Sequence, residues 1–235
     1  MSSKLLQYYD ASAGSYDDLH SAETNPEHTR AMEIGWPLFG TSVSSVLDVG
    51  SGTGRSLAWL SQREKAIKLL GIEPSTGMIE IAKKNVPTAE FQKGNGESLP
   101  YETGSVDVAI ATGIMHHADN PSRIISEMFR VSRKGVLISD HNNYAFGGSR
   151  AQRIRIGLKI CGLLGAATFI RQGFKKQGYS EGDGWWYPYS LLDNYAEIAR
   201  LSERVFIFPT RRPTGDMGNL IFAQSHFAIV AIKAA

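Results

Sequence analysis

Cysteine is almost missing from this 235-residue chain: Cys161 stands alone, which excludes an intramolecular disulfide framework and any cysteine-rich zinc site. A dominant charge is missing too. Twenty-five Lys and Arg face 23 Asp and Glu, leaving a formal net charge of +2, and there is no dense basic run, so composition makes no case for a nucleic-acid partner. No internal repeat or low-complexity tract is present, and the apolar stretch at 160–170 is too short to span a bilayer. The first four residues lack the apolar core of a signal peptide, and the cysteine usage suits a reducing compartment, so a cytoplasmic location is expected. What the chain does have is 42% hydrophobic residues, enough for one substantial α/β domain with an insertion.

The most informative segment is 46–55, Val-Leu-Asp-Val-Gly-Ser-Gly-Thr-Gly-Arg, where a short apolar run feeds into three alternating glycines. It reads as a buried strand breaking into a turn that opens a helix. Gly50, Gly52 and Gly54 remove side chains where the backbone must bend and where a ligand is expected to lie against bare amides. A dinucleotide fingerprint, G-x-G-x-x-G, fits less well, because Arg55 occupies the place of its third glycine. A second apolar run, 66–72, ends in Glu73, 19 residues beyond Gly54, and is followed by Pro74-Ser75-Thr76-Gly77-Met78 and a helical run at 79–84. In a doubly wound sheet an acid so placed lies beside the glycine turn and can accept hydrogen bonds from both hydroxyls of a ribose.

Three further elements follow in order. Residues 88–93 read as a strand, and 94–101 as the turn Gly-Asn-Gly-Glu-Ser-Leu-Pro-Tyr. The run 105–112 suits a parallel strand covered on both faces and ends in Gly113-Ile114-Met115-His116-His117. Asn120-Pro121 then reads as an N-cap with proline at the first helical position, opening a helix to about residue 132 before a strand at 135–140.

Taken together, these segments resemble the class I S-adenosylmethionine-dependent methyltransferases. Asp48-x-Gly50-x-Gly52-x-Gly54 is similar to their first motif, and 94–101 to their Gly-Asp-Ala-Glu-x-Leu-Pro-Phe turn. The run into His116-His117 resembles the signature of the small-molecule, methyltransferase type 11 branch, which includes quinone-biosynthesis enzymes. The resemblance covers roughly 43–141. It implies a Rossmann-like, doubly wound, three-layer α/β fold: a seven-stranded sheet with an antiparallel last strand, a helical N-terminal lid, and an insertion after strand five.

The implied cofactor is S-adenosyl-L-methionine. The residues implied to hold it are Tyr16, Asp48, Gly50, Ser51, Gly52, Gly54, Glu73, Pro74, Met78, Asn95, Gly96, Glu97, Ala111 and Thr112. In this family the aspartate and glycines hold the methionine end, and the third turn brackets the adenine. Asn95 departs from the family's aspartate, which leaves a neutral, weaker hydrogen bond to the adenine amine. Tyr8-Tyr9-Asp10 and Tyr16-Asp17 resemble the opening of related enzymes whose N-terminal helix folds over the cofactor; Tyr16 is the candidate lid contact.

These readings divide the chain into an N-terminal helical cap (1–42), a cofactor-binding core (43–141), an insertion (142–200) and the last two strands (201–235). A second helix starts at Asn25-Pro26-Glu27 and ends before Pro37, while the final strands, 205–208 and 226–232, flank a long turn with Arg211, Arg212 and Asp216. In the insertion, Arg150, Arg153, Arg155 and Lys159 precede the apolar stretch, and Arg171, Lys175 and Lys176 follow it. It reads as a lid helix over the site or, alternatively, as a peripheral membrane contact through 149–176 with its basic residues near anionic headgroups. Trp185, Trp186, Tyr187 and Tyr189 supply flat rings that either stack on an acceptor or anchor the insertion.

The implied chemistry is in-line displacement at a methyl group, for which positioning supplies much of the acceleration. A hydroxyl or acidic-carbon acceptor also needs a base, and His116, His117 and His141 are the candidates, since strands four and five are neighbours in the family's sheet. A divalent ion on Asp140-His141-Asn142-Asn143 is disfavoured without a second carboxylate at the end of strand four, so no metal is expected. Ala111-Thr112-Gly113-Ile114 does not resemble the Asn-Pro-Pro-Tyr motif of enzymes that methylate amide or base nitrogens. A small-molecule acceptor is therefore expected, sugar-containing, lipid-linked or phenolic, with O-methylation favoured over C- or N-methylation. A cofactor-binding sensor that transfers nothing and an NAD-dependent oxidoreductase remain as rivals, and the oligomeric state is open.

Overall fold

Short apolar runs separated by turn residues build an alternation of helices and strands, seen here in a computed structural model that describes residues 3–19, 26–211 and 224–234. Three helices come first: α1 (Ser3–Ser12), α2 (Tyr16–Leu19) and α3 (Pro26–Gly35). β1 (Ser45–Val49), α4 (Arg55–Arg63), β2 (Lys68–Glu73), α5 (Thr76–Asn85) and β3 (Glu90–Lys93) form the first half of the sheet. β4 (Val106–Thr112), α6 (Pro121–Val131) and β5 (Ser132–His141) carry it across the middle. After β5 come α7 (Ser149–Ile160), α8 (Leu164–Arg171), a hairpin of β6 (Gly178–Ser180) and β7 (Gly184–Trp186), and α9 (Tyr195–Arg200). β8 (Arg204–Pro209) and β9 (His226–Ile232) close the chain.

The main sheet has seven strands in the order β3-β2-β1-β4-β5-β9-β8. Every neighbouring pair is parallel except those made by β9, which runs antiparallel to both β5 and β8. The order reverses between β1 and β4, and a crevice opens there at the carboxyl ends of the strands. Both faces are covered, so successive residues of one strand enter opposite cores. Leu47, Val49, Ala109, Ala111, Val136 and Ile138 face one side with Ile125 and Met128 of α6, whereas Val46, Val108, Ile110 and Leu137 face the other with Met32 of α3 and Leu57 and Leu60 of α4.

Local chemistry sets the helix starts. Ser75 caps α5 by accepting from the Met78 amide at 3.1 Å, and Asn120 caps α6 by accepting from the Arg123 amide at 3.1 Å, with Pro121 in the first turn. The N-terminal segment is pinned by two aspartates. Asp10 accepts from Ser75 Oγ at 2.5 Å and from the Gly77 amide, and Asp17 accepts from Thr53 Oγ1 at 2.5 Å and from Asn85. Arg211 donates to the buried Glu27; Asn25, Arg212 and Asp216 lie outside the described residues.

The insertion departs from a single helix over 149–170. It breaks at Cys161–Leu163, where Gly162 takes a φ of +72°, and α7 and α8 pack against each other as a pair. Neither helix lines the crevice. Among the described side chains of 150–177, Leu164 alone is buried, because the apolar residues of this pair point outward. Among the described residues, no helix is long and apolar enough to cross a membrane.

Candidate functional site

The crevice floor is the turn between β1 and α4. A Cβ on Gly50, whose φ is +70°, would lie 2.7 Å from Ile114 Cγ2, so only glycine lets the turn pass beneath the β4 loop. The amides of Gly50 and Ser51 both donate to Ile72 O, at 2.8 and 3.1 Å. The expectation of bare amides facing a ligand is therefore corrected at all three glycines, since the Gly52 amide donates to Glu73 and the Gly54 amide to Ser51 O at 2.8 Å, and what the turn offers the ligand is room.

Around that floor, Glu73, Pro74 and Met78 form one wall, Asn95, Gly96 and Glu97 a second, and Thr112, Gly113 and Ile114 a third. Leu6, Tyr9 and Tyr16 form the roof. The expected Gly50, Ser51, Gly52 and Tyr16 also line the crevice, whereas Asp48, Gly54 and Ala111 do not. Gly54 is the N-cap of α4 in a left-handed conformation, Ala111 is buried inside β4, and Asp48 sits behind the turn, 1% exposed. Thr53, Arg55, Ser56, Ala118 and Ile124, together with His117, complete the lining.

Glu73 Oε2 accepts from the Gly52 amide at 3.0 Å and Oε1 from the Ser75 amide at 2.9 Å, which fixes the carboxylate at the mouth of the turn and leaves each oxygen a second lone pair. Burial pushes Glu73 up to about 7, against the pull of those two amides. Burial and the nearby Glu73 push Asp48 up to about 8, and Asp48 Oδ1 has no hydrogen-bond partner. Two buried acids thus stand close together, offset only in part by Arg55 in the crevice lining, which favours a cationic ligand over a pyrophosphate. Asn95 Oδ1 accepts from the Glu97 amide at 2.8 Å, so the ligand would use its remaining lone pair.

Beyond the crevice, toward the β5–β9 side, lies a cluster of five of the chain's six histidines: His28, His116, His117, His141 and His226. His117 lines the crevice. Its Nδ1 donates to Trp185 O at 2.8 Å, so in the neutral ring Nε2 carries the lone pair, which accepts from the Tyr9 hydroxyl at 2.8 Å. Burial and the adjacent His116 lower the His117 pKa, keeping the ring neutral near pH 7.

His116 lies behind it, ring centroids 3.9 Å apart, with Nδ1 donating to Asp140 Oδ1 at 2.7 Å and Nε2 3.2 Å from Asp183 Oδ2, off the ring N–H direction. Burial opposes charge on this ring, but the Asp140 and Asp183 carboxylates override it and raise it to about 10. Asp140 also accepts from the Met115 and His141 amides, at 2.7 and 2.6 Å, and is held well below the usual carboxylate range mainly by His116. His141 stacks on His116 at 4.1 Å; burial and the His116 charge lower it to about 4. His116 and His141 do not reach the crevice wall.

Asp183 comes from the tip of the β6–β7 hairpin, which Tyr8 holds by donating to Glu181 O at 2.6 Å and which continues into Tyr187, whose amide donates to His116 O at 2.7 Å. Asp183 Oδ1 is 3.4 Å from His117 Nε2, and the histidines keep its carboxyl well below the usual range. Among the described residues, two groups have metal-ligand composition, His116 with His117 and Asp183, and His116 with Asp140 and His141. The first is already balanced by the His116 charge.

The profile of the family described as "Methyltransferase domain" matches residues 47–139. An uncharacterised methyltransferase of Mycobacterium avium is 33% identical over 171 residues, 72% of this chain and 66% of that protein. The ubiquinone/menaquinone biosynthesis C-methyltransferase of Campylobacter jejuni is 33% identical over 100 residues, 40% of this chain and 42% of that one. Among the first of the curated relatives, the matched region spans 66% of the relative's length at most and in several cases 36%. A crystal structure from Thermotoga maritima, described as a SAM-dependent methyltransferase and possible histamine N-methyltransferase, superimposes with a TM-score of 0.63 at 17% identity, covering 98% of this chain and all of that one. The chain belongs to the class I S-adenosylmethionine-dependent methyltransferases.

The crevice suits that family's cofactor by its own chemistry. The Asp48 oxygen lacks a partner, Glu73 has lone pairs for a ribose diol, and Leu6, Met78 and Ile124 give an apolar slot for a purine. Sequence reasoning missed Tyr9, Asp183, His28 and His226. Tyr8-Tyr9-Asp10 is recognisable as a motif, but nothing local assigns Tyr9 or Asp183 to His117, 108 residues from Tyr9.

Proposed function

We propose that this methyltransferase transfers the methyl group of S-adenosylmethionine to a hydroxyl of a small-molecule acceptor, and that His117 is the base. When bound, the cofactor supplies an electrophilic methyl group on a sulfonium. The observation that carries the reading is the His117–Tyr9 pair: a neutral imidazole on the crevice wall, its Nδ1 locked by Trp185 O and its Nε2 lone pair already receiving a hydroxyl hydrogen bond. An acceptor hydroxyl in place of the Tyr9 hydroxyl would give its proton to Nε2 as its oxygen attacks. Asp183, 3.4 Å away, would stabilise the resulting imidazolium, while His116, charged between Asp140 and Asp183, holds both carboxylates in place. Glu73 and Asn95, both in the crevice lining, would hold the sugar and base of the cofactor. The lone Cys161 fits a reducing cytoplasm.

A second reading, C-methylation, draws on the Campylobacter relative, since the same base would serve an acidic carbon. Incubation with methyl-labelled cofactor and a panel of hydroxylated, phenolic and sugar-bearing acceptors tests both, and NMR of the product separates O-methyl from C-methyl. Binding of S-adenosylhomocysteine with no transfer to any acceptor would favour a sensor, and NAD binding without S-adenosylhomocysteine binding would overturn the reading.

A further inference from the structure

We infer that the outer face of α7 and α8 is a docking surface for an anionic lipid bilayer. Among the described residues, half of the large apolar side chains left exposed fall within 154–174: Ile154, Ile160, Leu163, Phe169, Ile170 and Phe174, with Ile160 81% and Phe174 69% exposed. They follow helical spacing. Arg150, Arg153, Ile154 and Ile160 share the exposed stripe of α7, and Ala166, Phe169 and Ile170 that of α8, continued by Phe174. Phe174 has a φ of +63°, a conformation that a bulky residue adopts at a cost, and there its ring meets Phe169 edge-on at 5.7 Å instead of entering the core.

Along the segment itself the charge has one sign. Residues 149–180 contain seven Lys or Arg and no Asp or Glu. Arg155 reaches back to Asn143 O and Lys159 stays half exposed while paired with Asp193, and Arg150, Arg153, Arg171, Lys175 and Lys176 are exposed around the apolar side chains. A second copy of this chain is a poor occupant, because self-pairing sets like charges against each other. An interface of acyl chains beneath anionic headgroups satisfies both features at once: the apolar stripe enters the boundary and the basic rim meets the phosphates. A cavity between the helix pair and the domain, with Lys175, Lys176, Gln172 and the Lys159–Asp193 pair in its wall, opens beside this face and gives a headgroup room to enter.

Co-sedimentation with phosphatidylcholine vesicles, with and without phosphatidylglycerol, tests the inference and needs no acceptor. The full chain is expected to sediment with the phosphatidylglycerol vesicles, to stay in solution with pure phosphatidylcholine, and to be released by high salt. Lys175→Gln and Lys176→Gln should each weaken binding about fivefold, and the double variant Ile170→Glu, Phe174→Glu should abolish it. Unchanged S-adenosylhomocysteine binding shows that these variants are folded, since none of the four residues lines the crevice. Three results would overturn the inference: no binding to anionic vesicles, equal binding to neutral ones, or a face that instead captures an acidic protein or forms a dimer abolished by the double variant.

Discussion

The two halves of the site are made by different means. On the cofactor side the backbone does most of the shaping: a glycine turn gives room, and two main-chain amides, Ser75 in the same turn and Gly52 in the neighbouring one, orient Glu73. On the acceptor side, side chains from widely separated segments meet in space. Tyr9, His117, Asp140 and Asp183 come from α1, the loop after β4, β5 and the β6–β7 hairpin. Main-chain geometry thus shapes the first half, whereas the second depends on side chains that only the folding of distant segments brings together.

The largest expected effect breaks the acceptor side alone. His117→Ala should lower kcat by about 10²- to 10⁴-fold, the range for losing a general base, while S-adenosylhomocysteine affinity stays within about twofold. Rapid-quench turnover and calorimetry measure the two quantities separately. Wild-type turnover in this variant would remove the base from the reading. The acid limb of the kcat profile should fall below pH 6.5, because the lowered His117 pKa keeps the base neutral above it.

The second effect falls on stability. Asp140→Ala leaves the His116 charge buried without its main partner, a loss of about 3–5 kcal/mol in denaturant unfolding. The pH dependence has a definite sign. His116 is raised from 6.5 to about 10 in the folded state, so its contribution is full below pH 6.5 and is lost as pH rises toward 10. Asp140 is lowered, so its contribution is present above the usual carboxylate range and fades in acid. The variant should flatten the alkaline slope; an unchanged slope would mean that the His116–Asp140 pair does not govern it.

The difference between the halves also explains what the sequence makes legible. The glycine turn, the acid at the end of β2 and the Asn120-Pro121 cap leave signatures within a few residues, because the backbone conformations they impose are local. The alternation of β4 and β5 into two cores is legible for the same reason. Asp183 and Tyr9 leave no such trace, since their partners are fixed by where the hairpin and α1 fold. The break between α7 and α8 at Gly162 is marked in the sequence, yet the outward aim of their apolar residues is not: periodicity tells which residues share a face but not what that face meets.

A third effect tests the cofactor side. Glu73→Gln should weaken S-adenosylhomocysteine binding by about 1–3 kcal/mol, the range for hydrogen bonds to a charged group, with turnover at saturating cofactor nearly unchanged. In the parent protein, affinity should rise with pH through about 7 as Glu73 ionises and becomes a full acceptor. The same ionisation works against the unliganded fold: a carboxyl raised from 4.5 to about 7 contributes stability below pH 4.5 that is lost as pH rises through 7. Calorimetric titrations at several pH values resolve the trend, and a pH-independent affinity would place the ribose elsewhere.

The smallest effect asks how local the cofactor side is. Asn120→Ala removes the cap of α6, whose side chain accepts from the Arg123 amide at 3.1 Å, and should cost about 1 kcal/mol of stability. The helix packs Ile125 and Met128 against β4 and β5, and those contacts remain, so cofactor affinity and kcat should hold. Additivity sharpens the comparison. Asn120→Ala combined with Glu73→Gln should give the sum of the single losses, as independent local elements do, whereas His117→Ala combined with Asp183→Asn should give less than the sum, because those side chains act through each other. Coupling in the first pair as strong as in the second would mean that the cofactor side is as cooperative as the histidine cluster, and that the contrast between the two halves is one of sequence distance alone.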